Sequence, residues 1–547
     1  MVIKIKLIAA CVTFCVSAHA QKYEVPVLSD AEAMERGKYE PTWQSLSEYE
    51  VPGWFRDAKF GIWAHWGPQC VEGSGDWMAR EMYHEGSGRY KYHREHYGHP
   101  SQVGFKDILP LFKGEKWQPD SLVAFYKSVG AKYFFAMGNH HDNFDMWNSK
   151  YQPWNSVRIG AKRDILEGWK NAAEKAGLPF GISFHADHAW RWYECTQRYD
   201  KEGEYKGIPY DGKLTKVDGK GKWWEGLDPQ DLYAQNHPLS EDSWNNNSIH
   251  RQWDWSHGAV LPTREYVTNF YNRTVDAINR YNPDLIYFDV TVVPFDSISD
   301  CGLRIAAHHY NHNMRLHKGK NEAIMFGKIL SEEQRKAIVW DVERGAPNEM
   351  IPDPWQTCTC LGNWHWNEHT SKVNGYKKAP QVIKLLVDIV SKNGNLLLSV
   401  PLRADGTFDS HEKNILDNIG TWLRQNGECI YGTRPWVKFG EGPIAEQKIE
   451  MKGQGFNEDA YKKANAKEIR FTQTKKNLYA IPLGWPEDGK LIIRSLANGS
   501  RWHNAKIKKV MLLGYGKVEF ERTAEGLEVT LPAEKTNNIL PVIKISK

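Results

Sequence analysis

The feature that most constrains the fold is a sequence pattern shared by six short apolar runs. Each run is long enough for one strand, is largely apolar on both faces, and ends in polar or titratable residues. This character is typical of parallel strands buried inside an α/β protein. We therefore predict that these runs form strands of one central sheet. They are KFGIWAHWG (59–67), AKYFFAMGNHHD (131–142), PFGISFHADH (179–188), DLIYFD (284–289), AIVWDVERG (337–345) and NGNLLLSVPLRADG (393–406).

Helical patterns lie between these runs. Residues 163–177 and 381–394 show helical patterns, and residues 263–283 begin at the candidate N-cap Thr263. Alternating strands and helices predict an α/β fold. Because titratable residues gather where the strands end, we expect a (β/α)8-like, TIM-type catalytic barrel over residues 21–435. An open doubly wound sheet also fits the alternation, but the sequence has no glycine-rich phosphate loop.

Two regions depart from this alternation. Residues 199–260 are polar and rich in Gly and Lys, and we interpret them as a long loop inserted after the third strand. This loop either covers part of the site or is a surface excursion without function. In residues 436–547, short alternating runs recur between turn signals. That pattern predicts a C-terminal antiparallel β-sandwich.

The N-terminus has the pattern of a signal peptide over residues 1–20. A basic start and a short apolar run are followed by small residues before Gln21. We predict cleavage after Ala20 and a periplasmic or secreted protein. The apolar run is too short to span a bilayer, and we expect no transmembrane segment elsewhere. Six of the eight cysteines follow this segment. They are too scattered for a disulfide scaffold, so we expect buried thiols, with a single bridge left open.

Charge and composition narrow the class of partner. The formal net charge is only +4 over 547 residues, which disfavours a dedicated nucleic-acid binder. The chain has 24 Trp residues. Tryptophan rings stack well on sugars, but a large aromatic core accounts for them equally well. The oligomeric state is left open by the sequence.

Two carboxylates, Asp289 and Glu343, stand at the ends of predicted strands. A charged side chain is costly to bury without a partner or a task, so we expect both at the mouth of the barrel. Two carboxylates that face one pocket can hydrolyse a glycoside. A separation of about 5–5.5 Å gives retention and about 6.5–9.5 Å gives inversion. A structural, ion-paired role is the ordinary alternative for each residue.

Histidines gather at the same strand ends. Neutral imidazoles suit sugar hydroxyls, whereas a metallohydrolase would use the same residues as ligands. The spacings match no zinc motif, and HADH (185–188) lacks the helical context of the H-E-x-x-H pattern. We therefore expect no metal and no other cofactor, while hydrogen-bonded histidines without function remain the simple alternative. The histidines are His65, His140, His141 and His185.

Six segments together resemble glycoside hydrolase family 29, the exported α-L-fucosidases. The resemblance covers about residues 30–435, in the right order, and continues into the predicted sandwich. It implies hydrolysis of terminal α-L-fucosyl residues from oligosaccharides or glycoconjugates by a retaining double displacement. The segments are FRDAKFGIWAHWG (55–67), DWMAREMYHEG (76–86), KYFFAMGNHHDNFDMWNS (132–149), NPDLIYFD (282–289), PWQTC (354–358) and VSKNGNLLLSVPLRADGT (390–407).

The resemblance also implies roles for single residues. Asp289 takes the place of the family nucleophile, and Tyr287 stands where many members carry a Trp beside the sugar. The Trp of a family Glu-Trp motif is Trp77, whose preceding Glu is replaced by Asp76. The other implied fucose contacts are His65, His140, His141 and His185.

The acid/base is a choice between positions, because the family varies there. One family position, after the Trp of a W-E-x-C pattern, holds Gln356, which cannot donate a proton at neutral pH. The other holds Glu343, which we predict as the acid/base, with Arg344 beside it to contact the sugar or orient a carboxylate. Glu81 and Glu85 remain alternatives for the acid.

Three rival functions stay open at this stage. A fucose pocket can also accept L-galactose, which adds one hydroxyl, so an α-L-galactosidase or another exo-glycosidase fits the same scaffold. A catalytically inactive carbohydrate-binding protein is a second rival, although both candidate carboxylates are present. A metallohydrolase on the same barrel is the third.

Overall fold

The computed structural model describes residues 23–245 and 253–546. The predicted signal peptide and its cleavage point therefore lie outside the described residues.

Eight parallel strands close into a barrel. Each strand pairs with the next along the chain, and the last pairs back onto the first, with Ile62 opposite both Phe134 and Leu398. The predicted (β/α)8-like barrel is thus confirmed. The strands are β1 (Phe60–Ala64), β2 (Tyr133–Met137), β3 (Phe180–Phe184), β4 (Leu285–Phe288), β5 (Ile324–Gly327), β6 (Val339–Glu343), β7 (Trp355–Cys360) and β8 (Gly394–Ser399).

The sequence prediction missed two of these strands, β5 and β7. The first is only four residues long, too short to stand out as an apolar run. The second, WQTCTC, carries polar side chains yet is buried along its whole length. Its polar groups are bonded inside the protein, as Thr357 Oγ1 donates to the carbonyl oxygen of Val342 at 2.6 Å. Hydrogen-bonded polar side chains can be buried at little cost. The polar sequence of β7 therefore did not indicate a buried strand.

Helices surround the barrel, and the predicted patterns are confirmed at three of them. The 18-residue helix begins after Thr263, whose side chain accepts a hydrogen bond from the Tyr266 amide at 3.2 Å. Residues 328–354, all of them described, contain no α-helix, so two crossovers are loops. Among the described residues, no helix combines the length and apolar character needed to cross a membrane. The longer helices are α1 (Gly88–His96), α2 (Pro119–Ser128), α3 (Ile165–Ala176), α4 (Arg264–Tyr281), α5 (Cys301–Leu316), α6 (Ala379–Ser391) and α7 (Ser410–Asn426). Shorter ones are Trp43–Leu46, Gly53–Ala58, Met78–Glu81, Phe105–Ile108, Ala189–Trp192, Pro229–Tyr233 and Glu368–Lys372.

Two antiparallel sheets follow the barrel, as the sequence predicted. They are built from β9 (Arg434–Glu441), β10 (Ile469–Gln473), β11 (Asn477–Pro482), β12 (Lys490–Ile493), β13 (Lys509–Leu512), β14 (Gly516–Lys517), β15 (Phe520–Arg522), β16 (Leu527–Thr530) and β17 (Ile543–Ser546). One sheet has the order β14-β13-β17-β11-β10-β9, and the other has the order β12-β16-β15. Phe471, Leu491 and Ile543 share one buried apolar cluster that joins the two sheets.

A buried ion cluster joins the barrel to the sandwich. Asp388 of α6 accepts hydrogen bonds from Arg470 Nε of β10 at 2.5 Å and from Lys392 Nζ at 2.8 Å. Burial alone would raise the pKa of Asp388, but the two cations hold it below its ordinary value. All three side chains are buried, so each charge depends on the others for compensation.

The six cysteines after the predicted signal are buried and unpaired. All six lie within the described residues, so the expectation of buried thiols is confirmed and the open question of a bridge is answered against one.

Replacing Asp388 with Asn should destabilise the protein by about 3–5 kcal/mol, because the buried Lys392 loses its carboxylate partner and Arg470 keeps only its longer pair with Glu468 (3.3 Å). Urea unfolding, compared at the transition midpoint, measures the change. The matched control is Asp417→Asn, which breaks the half-exposed pair with Lys413 (2.9 Å) on α7 and should change little. Equal shifts in the two variants would contradict the importance of the buried cluster.

Candidate active site

A cavity of about 530 Å³ opens where the barrel strands end. Its size is within the range of roughly 300–1,000 Å³ common to small-molecule sites. Eight of the nine site residues predicted from the sequence line it, and the ninth, His141, contacts one of them, Asp289. The lining residues are Trp63, His65, Asp76, Trp77, Arg89, His140, His185, Trp253, Tyr287, Asp289, Lys328, Glu343, Arg344, Trp364, Gly453, Gln454 and Phe456.

A buried ammonium joins the two predicted carboxylates. Asp289 directly follows β4, Lys328 directly follows β5, and Glu343 is the last residue of β6. Since β5 lies between β4 and β6, Lys328 Nζ reaches both neighbours. It donates to Asp289 Oδ1 and, at 2.6 Å, to Glu343 Oε2. Two oxygens bonded to one nitrogen lie within about 6 Å of each other, twice an ordinary N–H···O distance.

The charges at this point stabilise one another. Burial alone would raise the pKa of Asp289, but the charge of Lys328 and the neighbouring His141 and His185 hold it well below its usual range. Burial alone would lower the pKa of Lys328, and the two carboxylates raise it well above its usual range instead. At neutral pH the site therefore holds an ionised Asp289 beside a charged Lys328.

Histidines pack against the other side of Asp289. His141 Nε2 lies 3.2 Å and His185 Nδ1 lies 3.7 Å from Asp289 Oδ2. Burial lowers the pKa values of His65 and His140 well below the ordinary value, and that of His185 to about 4. Imidazoles that are neutral at pH 7 offer one donor and one acceptor each. Nε2 of His185 has no hydrogen-bond partner among the described residues, so a ligand hydroxyl can satisfy it.

These side chains also form two groups that could hold a metal ion. His65, His140 and His185 make one group, and His141, His185 and Asp289 make the other, with ligand atoms within 4.8 Å of one another. Three nitrogen or oxygen ligands suit a transition metal. A divalent cation in the second group would lie near the ammonium that already pairs with Asp289, and like charges repel.

Aromatic rings line the remaining walls. The rings of Tyr287 and Trp63 meet edge to face, with centroids 4.7 Å apart. Trp77 lines the cavity from a left-handed backbone conformation (φ 60°) just before a short helix. Next to it, the Asp76 carboxylate accepts the backbone N–H of His365 at 2.6 Å. These rings provide apolar faces beside the polar imidazoles.

Arg344 contacts a carboxylate other than the predicted pair. Its Nε donates to Glu458 Oε1 at 2.9 Å, and its side chain also borders the cavity. Glu458 belongs to a segment that follows β9, so this ion pair ties the end of β6 to the C-terminal region.

The other acid candidates do not line the cavity. Gln356 lies inside the barrel, where its Nε2 donates to Asp341 Oδ1 at 2.9 Å. Glu81 lies 3.6 Å from His84 and borders a neighbouring cavity. Glu85 accepts the backbone N–H of Lys201 at 2.9 Å at the surface. Only Glu343 among these candidates meets Asp289 across the cavity.

The sequence analysis did not single out several residues of this site. Lys328 follows the apolar stretch IMFG in the same way that the other polar residues follow their strands, so a shorter strand threshold would have found it. Gln454 donates from Nε2 to Glu343 Oε2 at 2.7 Å. No local pattern marks Gln454, because it reaches the site from beyond β9. Trp253 comes from the polar stretch that we interpreted as an inserted loop.

Comparison with known protein families agrees with this architecture. The family described as alpha-L-fucosidase matches residues 27–428, and the alpha-L-fucosidase C-terminal domain matches residues 462–546. Plasma alpha-L-fucosidase of Homo sapiens is 24% identical over 513 residues, which cover 90% of this chain and 89% of that protein.

Solved structures agree as well. Thermotoga maritima alpha-fucosidase in complex with fucose is 25% identical, covers 92% of this chain and 99% of its own, and has a TM-score of 0.64. A Bacteroides thetaiotaomicron GH29 alpha-L-fucosidase, trapped as a covalent intermediate, is 16% identical with a TM-score of 0.57 over 96% of this chain and 99% of its own, and so shares the fold. Since the family match spans most of the sequence, this chain belongs to the α-L-fucosidase family of glycoside hydrolases.

Proposed function

We propose that this protein hydrolyses terminal α-L-fucosyl residues of oligosaccharides or glycoconjugates with retention of anomeric configuration. The observation that carries the proposal is the pair Asp289 and Glu343, bonded to the single ammonium of Lys328. Their nearest oxygens lie within about 6 Å, which favours the retaining geometry of about 5–5.5 Å over the wider inverting one. The trapped covalent intermediate of the Bacteroides thetaiotaomicron relative supports the same route.

The first step forms a glycosyl-enzyme. Asp289, ionised and neighboured by Lys328, attacks the anomeric carbon. The bond to the leaving oxygen breaks, and Glu343 transfers its proton to that oxygen. The charge of Lys328 keeps Asp289 ionised at low pH. The hydrogen bond from Lys328 to Asp289 also stabilises this carboxylate in the state from which it must react.

The second step releases the sugar. Glu343, now a carboxylate, takes a proton from a water molecule, and the water oxygen attacks the anomeric carbon. The ester bond to Asp289 breaks, which restores both groups. Each carboxyl group therefore ends as it began, and no cofactor enters the cycle.

The remaining lining residues would hold the sugar. Neutral imidazoles of His65, His140 and His185 are suited to hydroxyl groups, and Tyr287 and Trp77 to the ring and its methyl group. His141 would steady Asp289, which lies 3.2 Å away. Arg344 would act at the rim, from its ion pair with Glu458. A pocket of this kind would discriminate only modestly against L-galactose.

We also propose that the protein is exported, to the periplasm or the medium, after cleavage behind Ala20. The signal-like pattern of residues 1–20 supports export, and one relative is a plasma enzyme by name. Intact-mass measurement of the exported protein tests the cleavage point, and we expect the mass of a chain that begins at Gln21.

Substituting Asp289 with Gly should lower turnover of 4-nitrophenyl α-L-fucoside roughly a thousandfold or more, because the attacking group is gone. Azide should restore turnover and yield β-fucosyl azide, since the small anion enters the vacated space and attacks once. The wild-type enzyme without azide is the reference for nitrophenol release. Full activity of Asp289→Gly would show that another residue is the nucleophile.

Replacing Lys328 with Met should move the acidic limb of the kcat/KM–pH profile upward by roughly one pH unit or more. Lys328 lowers the pKa of Asp289, and Asp289 reacts only when ionised. Without the cation its pKa rises, so activity is lost at a higher pH. Lys328→Arg keeps the charge and serves as the control, with a limb close to wild type. A limb that stays in place in Lys328→Met would refute this coupling.

A metal-dependent hydrolase is the second candidate, favoured by the two histidine groups that could hold an ion. Dialysis against EDTA followed by assay in metal-free buffer separates the two functions. The fucosidase mechanism predicts unchanged activity, because Lys328 supplies the positive charge at Asp289. Loss of activity that Zn²⁺ restores would favour the metallohydrolase.

A further inference from the structure

A segment after β9 reaches back into the barrel mouth. Residues 453–458 pair with the end of β6: the Glu343 amide donates to the carbonyl oxygen of Gln454 at 3.0 Å, and the Phe456 amide donates to the carbonyl oxygen of Glu343 at 2.8 Å. Gly455 sits between these bonds, where a Cβ atom would come within 1.9 Å of the Glu343 carbonyl oxygen. Only glycine permits so close an approach of the two backbones. We call residues 453–458 the rim segment.

The rim segment also bonds to the Glu343 side chain. Gln454 Nε2 and Lys328 Nζ both donate to Oε2, at 2.7 and 2.6 Å. Oε1 has no hydrogen-bond partner among the described residues. It is therefore the oxygen of Glu343 left to exchange a proton with the leaving group. The rim segment thus adjoins the place where the glycosidic oxygen must lie.

Phe456 is exposed at this place. Its side chain is 47% accessible and borders the cavity. Its backbone is left-handed, with φ at 58°, which is uncommon for an aromatic residue. No described aromatic ring stacks on it. The backbone of Phe456 is thus strained and bonded to that of Glu343, and its phenyl ring presents an apolar face that no aromatic ring of the described residues covers.

Two other aromatic side chains of the cavity, Trp253 and Trp364, lie elsewhere. The ring centroids of Trp253 and His188 lie 5.5 Å apart. His188 Nε2 donates to the Asp289 carbonyl oxygen at 2.7 Å. Trp253 is therefore on the side of Asp289, not of Glu343. Trp364 packs against the rings of Trp63 and His65, toward the interior.

We infer that Phe456 is the floor of a subsite for the leaving group, on which the first sugar of the aglycone stacks its apolar face. The inference rests on the proposed function, because Glu343 must protonate the oxygen that joins fucose to that sugar. The aglycone is bonded to this oxygen, so it leaves past Glu343 and meets the ring beside it. A pyranose with axial C–H bonds on one face is the class of ligand that an aromatic ring accepts.

The test compares two kinds of leaving group. Methyl α-L-fucoside has no aglycone sugar but still needs Glu343 to protonate its leaving oxygen, whereas α-1,2-, α-1,3-, α-1,4- and α-1,6-linked fucosyl disaccharides have such a sugar. We expect Phe456→Ala to lower kcat/KM about fivefold to tenfold on the disaccharide that wild type cleaves fastest. On methyl α-L-fucoside kcat/KM of Phe456→Ala should stay within about twofold of wild type, and Phe456→Tyr should behave like wild type on both substrates. Phe520→Ala, which removes another exposed phenylalanine (37% accessible) on the sandwich, is the matched control.

Each other outcome overturns the inference in an identifiable way. Equal losses on methyl α-L-fucoside and disaccharide would mean that Phe456 supports Glu343 or the fold. No loss on either would mean that the aglycone lies elsewhere. Cleavage of methyl α-L-fucoside but of none of the four disaccharides would show that no sugar is accepted there. If wild type cleaves neither kind of substrate, the proposed function itself fails, and that result is distinct from the other three.

Discussion

The site depends on one buried ammonium. Asp289 follows β4 and Glu343 ends β6, so both lie at the same end of the barrel. Two carboxylates so close together repel unless one is protonated or a cation lies between them. Lys328 lies between them, because β5 separates β4 from β6 in the closed sheet. Its charge lets Asp289 remain ionised despite burial. Asp289, joined by Glu343 when that group is ionised, in turn keeps Lys328 charged, so the three groups are stable only as a set.

The C-terminal region is connected to this set. Gln454 donates to the same oxygen of Glu343 as Lys328 does, and Arg344 pairs with Glu458. The sandwich is held against α6 by the buried cluster around Asp388 and Arg470. The position of Glu343 therefore depends on the docking of two regions that are far apart in sequence. This dependence gives the sandwich a structural part in the site, whether or not it binds glycan itself.

Much of the site was predictable because its residues obey a local rule. His65, His140, His185 and Asp289 each follow an apolar run, and the carboxyl ends of parallel strands meet at one edge of the sheet. The strand β5 was not predicted, because four residues are too few to show a pattern, and Lys328 was therefore not predicted either. The strand β7 was not predicted either, because its Gln and Thr side chains look exposed in the sequence but are hydrogen-bonded inside the protein.

By itself the sequence determined the α/β barrel, the order of its main strands, the sandwich that follows and the two carboxylates, because periodicity and strand-end polarity are local properties of the chain. Only the tertiary structure decided which groups share the site. Closure of the barrel placed Lys328 between Asp289 and Glu343, and the rim segment brought Gln454 and Phe456 to Glu343 across more than one hundred residues. The physical reason is that these contacts form between side chains that no local pattern relates, and their energy is realised only when the strands and the two regions are packed together.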